Sequence, residues 1–191
     1  MSACDILVIA NLNMDLILEQ KNSQQTSRKR YADSFTLSPG GNGYNEAVAA
    51  ARMGATVALA GMIGSDSFGA QLKASLNEEI TDSQLVRVVP GSSGLSLILS
   101  SAGQENIYWD IVGANACLDE EYIRGLESHI AKVKLLVVGF GVPYASTVLA
   151  IRLAQKHGTA VMLVAYQSRP LSDELLSMVC LLYTSDAADE A

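Results

Sequence analysis

Gly40-Gly-Asn-Gly-Tyr-Asn-Glu-Ala-Val-Ala-Ala-Ala-Arg-Met-Gly-Ala55 runs from a glycine cluster straight into an alanine-rich stretch. Alanine is the strongest helix former, so Asn45 to Met53 reads as a helix with Gly54 as its stop. The preceding Ser38-Pro-Gly-Gly-Asn-Gly43 reads as a turn cluster. Its glycines permit positive φ and let a ligand approach the main chain, and the helix start behind them offers unpaired N–H groups. A dinucleotide loop is excluded, because Glu46 stands where the third glycine of Gly-x-Gly-x-x-Gly belongs. No Gly-Lys-Ser/Thr follows, so it is not a Walker loop either. By pattern alone, a ligand loop and a plain turn stay equally open.

Working outward, Ile6 to Ala10 is a short apolar run with β-branched residues, a buried strand that Asn11-Leu-Asn-Met-Asp15 ends. Residues 19–30 read as a loop and Tyr31 to Leu37 as a half-exposed strand. Thr56 to Gly61 is a strand, and Phe68 to Glu79 a helix with an apolar stripe at 68, 72, 76 and 80. Leu85 to Val89 is a strand. Gly94 to Ser100 and Asn106 to Val112 alternate around Ser101-Ala-Gly-Gln104, a hairpin. Leu118 to Ile130 reads as one helix, Leu135 to Gly139 as a strand buried on both faces, and Ala145 to His157 as a helix closed by Gly158. Ala160 to Ala165 is another strand, and Leu171 to Val179 opens a helix that is then cut off. This alternation implies an α/β, doubly wound fold of βαβ units around a parallel sheet. The pieces near 12–18, 31–37 and 94–112 do not fit that sheet. Their half-polar pattern predicts a small second sheet with one wet or ligand-facing side.

The composition is globular: 191 residues, 49% hydrophobic and 17% charged, a size suited to one domain. A net charge of −7 without a basic stripe speaks against nucleic acid and anionic membrane as partners. Arg28-Lys29-Arg30 reads as a solvated turn. Three cysteines without Cys-x-x-Cys spacing, and two histidines, offer neither a disulfide framework nor a metal site. The N-terminus lacks the pattern of a leader. Residues 47–64 are broken by Arg52 and three glycines, and 135–151 by two glycines and Pro143, so both read as strand–helix pairs rather than spans. A cytoplasmic location is expected. The end, Cys180-Leu-Leu-Tyr-Thr-Ser-Asp-Ala-Ala-Asp-Glu190, resembles a translated transposase sequencing adapter, which implies a non-native tail over 180–191. The plainer reading is a strand from Val179 to Thr184 with an acidic end.

Two further motifs stand where chemistry gathers. Asn13-x-Asp15 follows the first strand, and ligands of open α/β sheets collect at the carboxyl ends of strands. A carboxylate with two acceptor oxygens suits a pair of neighbouring hydroxyls, and an amide both donates and accepts. Both residues are also ordinary turn formers. Gly113-Ala-Asn115-Ala precedes a helix, where Asn115 either touches a ligand or shapes the turn. Tyr108 and Trp109 on the hairpin read as core, ligand-facing or interface residues.

Taken in order, Asn13-x-Asp15, Gly40 to Ala55, Gly61-Met-Ile-Gly-Ser-Asp-Ser-Phe-Gly69, Ser92-Ser-Gly94, Gln104-Glu-Asn-Ile107 and Gly113-Ala-Asn-Ala116 resemble the ribokinase-like (phosphofructokinase-B type) carbohydrate kinases, nearest to their ribokinase branch. The resemblance implies a doubly wound αβα domain with a small β-lid, and transfer of the γ-phosphate of ATP, with magnesium, to a sugar hydroxyl. It implies that Asn13 and Asp15 hold sugar hydroxyls, that Gly41, Asn42, Gly43 and Asn45 line the sugar pocket, and that the lid forms a homodimer contact. It also implies that 1–179 is the N-terminal part of one such domain. The family's nucleotide pocket and its Gly-Ala-Gly-Asp segment, whose aspartate is the base, are absent from these 191 residues. No catalytic, cofactor-binding or metal residue is therefore assigned to this chain. The family usually has lysine at the position of Asn42 and a sugar-contacting glutamate at that of Gly141. Its Asn-Pro-Ala-Pro segment aligns with Val164-Ala-Tyr-Gln167 and is missing. A kinase of the same family acting on another sugar or a nucleoside stays open, as does a non-catalytic sugar or nucleoside binder. A dinucleotide oxidoreductase is disfavoured by the missing third glycine.

Overall fold

The computed structural model describes residues 4–21, 31–165 and 171–184. Its main layer is a six-stranded sheet built from β1 (Ile6–Ile9), β4 (Val57–Gly64), β5 (Val86–Val89), β8 (Leu135–Gly139), β9 (Ala160–Ala165) and β10 (Leu181–Thr184). The order is β10-β9-β8-β1-β4-β5, and every pairing is parallel. A parallel sheet covered on both faces needs strands apolar throughout. β4 meets that condition with all eight residues buried.

Alternate residues of β1 feed two cores. Leu7 and Ile9 pack with Tyr122 and Ile123 of α3 (Glu120–Gly125), Ile130 of α4 (Glu127–Ile130), and Ile151 and Ala154 of α5 (Tyr144–His157). Val8 and Ala10 pack with Tyr44, Ala47 and Val48 of α1 (Asn42–Arg52) and Leu72 and Leu76 of α2 (Ser67–Glu79). This two-sided burial makes the domain αβα. Asp66 caps α2 by accepting from Gly69 N (2.8 Å), and its carboxylate also accepts from the backbone N and hydroxyl of Ser93. That aspartate thus ties the helix start to the chain that leaves the main sheet.

The second sheet has the order β3-β2-β6-β7, from β2 (Asn13–Gln20), β3 (Ser34–Gly40), β6 (Gly94–Ser101) and β7 (Ile107–Ile111). β2 pairs parallel with β6, and the outer pairs are antiparallel. Its registers sort the side chains by face. Leu16 lies beside Leu37 and Leu97, and Leu97 beside Trp109, while one residue along Asp15 lies beside Ser38 and Ser96, and Ser96 beside Asp110. One face is therefore apolar and the other polar, as alternation requires.

Several boundaries differ from those read in the sequence. β2 continues to Gln20, whose side chain accepts from Ser101 Oγ (3.2 Å), so the expected loop does not begin at 19; residues 22–30 lie outside the described residues. The turn cluster at 38–43 is absorbed by β3 and α1, with Gly41 alone at the joint, φ 93°. That positive φ lets a strand run into a helix with no loop between them. The single helix expected over 118–130 is two short helices, α3 and α4, broken beside Gly125, a weak helix former, and a 3₁₀ turn (Gly113–Cys117) precedes them. The helix read from Leu171 is one short segment, α6 (Asp173–Ser177), and the chain then returns to the sheet as β10.

Candidate functional site

The chain runs outward from β1 to β4 and β5, then returns on the other side to β8, β9 and β10. The switch point lies between β1 and β8, and ligands of such sheets bind beyond the strand ends there. A cleft of about 380 Å³ sits at that place. Asn11 and Asn13 line it from the end of β1, Phe140 and Gly141 from the end of β8, Asn42 from α1, and Asp110 and Asn115 from the chain around β7.

Local chemistry fixes these groups. Asn11 Oδ1 accepts from Gly43 N (3.1 Å), which occupies one of the unpaired donors at the start of α1. A Cβ on Gly41 would stand 2.7 Å from Asn11 O, so only glycine lets this corner close. A Cβ on Gly43 would stand 2.6 Å from Ala10 Cα, so the first turn of α1 rests on the main chain of β1. Asn115 is 2% exposed and clasps the β1–β2 joint: its Oδ1 accepts from Leu12 N (2.9 Å), and its Nδ2 donates to Asn13 Oδ1 (2.9 Å). Asn13 Nδ2 donates to Ser96 Oγ (3.2 Å), and Ser96 Oγ donates to Asp110 Oδ1 (2.5 Å). A continuous polar chain thus crosses the second sheet from Asn115 to Asp110.

Asp15 lies two residues along β2 from Asn13, on the same face, against Gly40. It accepts from the Gly41 N–H, while its Oδ1 is buried without a partner among the described residues. Burial first, and the neighbouring Asp110 charge second, push its carboxyl up to about 6 against the pull of the Gly41 N–H.

The sequence-derived set is therefore brought together in part. Asn13 and Asn42 line the cleft; Gly41 and Gly43 do not line it but pack against Asn11 and Ala10, and Asp15 lies two residues from Asn13 on β2 without lining it. Asn45 is exposed on the first turn of α1 and does not line the cleft. Three groups went unassigned in the sequence: Asn11, Ser96 and Asp110. Asn11 sits in the same polar run as Asn13, which was its one signal. Ser96 and Asp110 reach the site through the β6–β7 register, which no local pattern carries. A Cβ on Gly141 would stand 2.6 Å from Asn11 Oδ1, so the Asn11 amide fills the space beside Gly141. Among the described residues, no group of three or more His, Cys, Asp or Glu is placed to hold a metal, and no helix is long and apolar enough to cross a membrane.

A parallel αβα layer with an amide-lined cleft at its switch point and a separate small sheet beside it defines an α/β protein of the doubly wound class. The chain belongs to the pfkB family of carbohydrate kinases, whose model matches residues 4–187. It is 31% identical to a ribokinase of Haemophilus influenzae over 97% of this chain and 61% of that protein. It is 31% identical to a deoxyribokinase of Salmonella typhi over 83% of this chain and 52% of that protein. The chain thus spans between half and two-thirds of the length of these relatives. The structure of Arabidopsis thaliana ribokinase complexed with ribose and ATP shares its fold, with a TM-score of 0.84 at 19% identity, covering 95% of this chain and 60% of that one.

Proposed function

We propose that this chain supplies the sugar-holding part of an ATP-dependent kinase of the ribokinase type, whose whole protein transfers the γ-phosphoryl group of ATP to the 5-hydroxyl of D-ribose or a related sugar. The observation that carries the reading is the amide-lined cleft at the switch point, in a chain of this family. Asn13 and Asp15 grip hydroxyls of the sugar, the Gly41 and Gly43 main chain lets the ring approach, and Asn42 flanks it from α1. Sites that hydrogen-bond hydroxyls discriminate strongly against analogues that lack them. The second sheet serves as a lid that excludes water from transfer. The differences at Asn42 and Gly141 favour, as a second reading, another sugar or a nucleoside as acceptor.

The cleft does not fit the nucleotide. Its side chains are amides, apolar groups and one carboxylate, with no lysine or arginine to face a triphosphate. We assign ATP, magnesium and the catalytic base to the part of the family's length that this chain does not span. Residues 1–179 then form the N-terminal part of one domain, and 180–191 a non-native tail. The location is cytoplasmic, nucleic acid and membrane are not partners, and a homodimer forms through the lid. Calorimetry on the 191-residue chain tests the reading: D-ribose or a related sugar binds, Asp15→Ala removes the binding, and no ADP forms with ATP present. ATP-dependent turnover by this chain, or full sugar affinity in Asp15→Ala, overturns it.

A further inference from the structure

Among the described residues, Asp110 is the one ionisable side chain that lines the cleft. Its Oδ1 is fixed by the Ser96 hydroxyl at 2.5 Å, and Ser96 is fixed in turn by Asn13, which is 8% exposed. A carboxylate that merely keeps an edge strand soluble needs no such chain behind it. Among the described residues no lysine, arginine or histidine pairs with Asp110. The same row of the sheet face, across Ser96, adds a second carboxylate, Asp15, close enough for Asp110 to disturb its ionisation. The other polar lining groups, Asn11, Asn13, Asn42 and Asn115, are uncharged. The cleft therefore has a net negative field and an oriented acceptor with one oxygen free.

We propose that Asp110 is a specificity-determining residue of this cleft, and that its free carboxylate oxygen receives a protonated amine on the ligand, so that the chain selects an amino sugar over the neutral sugar of the same shape. This rests on the reading of the cleft as a sugar site. A charge-assisted hydrogen bond from an ammonium is shorter and stronger than one from a hydroxyl. The amides that remain suit the hydroxyls of the same ring. The apolar groups of Val112, Phe140 and Val142 line the same cleft and cover the ring carbons.

The experiment is calorimetry on the 191-residue chain at pH 7.5 and low salt. The probes are D-ribose, 2-amino-2-deoxy-D-ribose, 3-amino-3-deoxy-D-ribose, D-glucose, D-glucosamine and N-acetyl-D-glucosamine. At least one ammonium sugar should bind tenfold or more tightly than its neutral parent. That ratio should shrink with added salt and, for D-glucosamine, vanish on N-acetylation. In Asp110→Asn, a near-isosteric change at an exposed position, the ratio should fall to about one. If a neutral sugar binds and no ammonium form exceeds it, the inference fails while the sugar reading stands. A ratio that survives in Asp110→Asn overturns it equally. If no sugar of either kind binds, both fall together.

Discussion

Asp15 works against the fold that holds it. Its carboxyl is raised to about 6 in the folded chain from an ordinary 3.8, mainly by burial. A raised carboxyl means the folded state binds the proton more tightly than the unfolded state, so stability is highest below the unfolded value and falls as pH rises through 6. Asp15→Asn should therefore raise Tm at pH 8 by more than at pH 4.5, each kcal/mol amounting to roughly 2–4 °C for a chain of this size. Melting curves at the two pH values check this, and a lower Tm at pH 8 would refute it. Sugar affinity should run the other way and strengthen as pH rises through 6, because the ionised form is the better acceptor for hydroxyls. Asn11 and Gly141 show a second dependence between single residues. Gly141→Glu should cost about 1–3 kcal/mol by overpacking against Asn11, and shortening Asn11 to Ala should relieve part of that cost. A double-mutant cycle in urea reads the coupling, and strict additivity would deny it.

Elements show how far local patterns reach. Strands β8 and β9 were legible to the residue, because a strand buried on both faces is written as a continuous apolar run. β3 lies three residues beyond the strand expected at Tyr31 to Leu37, because Pro39 and Gly40 carry a turn's signal. Pro39 is tolerated in β3 because that strand is the edge of its sheet, where a missing N–H leaves no partner unpaired. Asn13 and Asn42, which line the cleft, could be read for the same reason as β8: their signal is local. Asn115 was noticed but its role was not legible, since Leu12, which it clasps, lies 103 positions away. Its removal is a test of the joint between the two sheets. Asn115→Ala leaves the buried Leu12 N–H without its partner, which costs about 1–3 kcal/mol and should raise sugar dissociation constants by freeing Asn13. Hydrogen exchange at the Leu12 amide should speed up in the variant, and unchanged protection there would contradict the clasp.

At the scale of the whole molecule, the second sheet turns an apolar face outward. Phe35 is 64% exposed, Trp109 52% and Ile111 53%, and the registers place all three on the face that also carries Leu16 and Leu97. Exposed apolar faces of that kind are the surfaces through which chains commonly associate. In line with the proposed homodimer, Trp109→Glu should shift the chain toward monomer in sedimentation velocity without unfolding it; an unchanged dimer would place the contact elsewhere. The route by which the chain reaches this shape follows from the same sheet. β2 meets β6 only after the whole β4–β5 segment has passed, and Gln20 and Ser101, which join their ends, are 81 positions apart. Contacts so distant along the chain are slow to form, because loop closure must precede any gain from pairing. The one tryptophan of the chain sits on β7, so its emission reports the assembly of the second sheet. On rapid dilution from urea, far-ultraviolet dichroism should recover before tryptophan fluorescence does, and the ligand cleft should come into being only with the slower of the two phases.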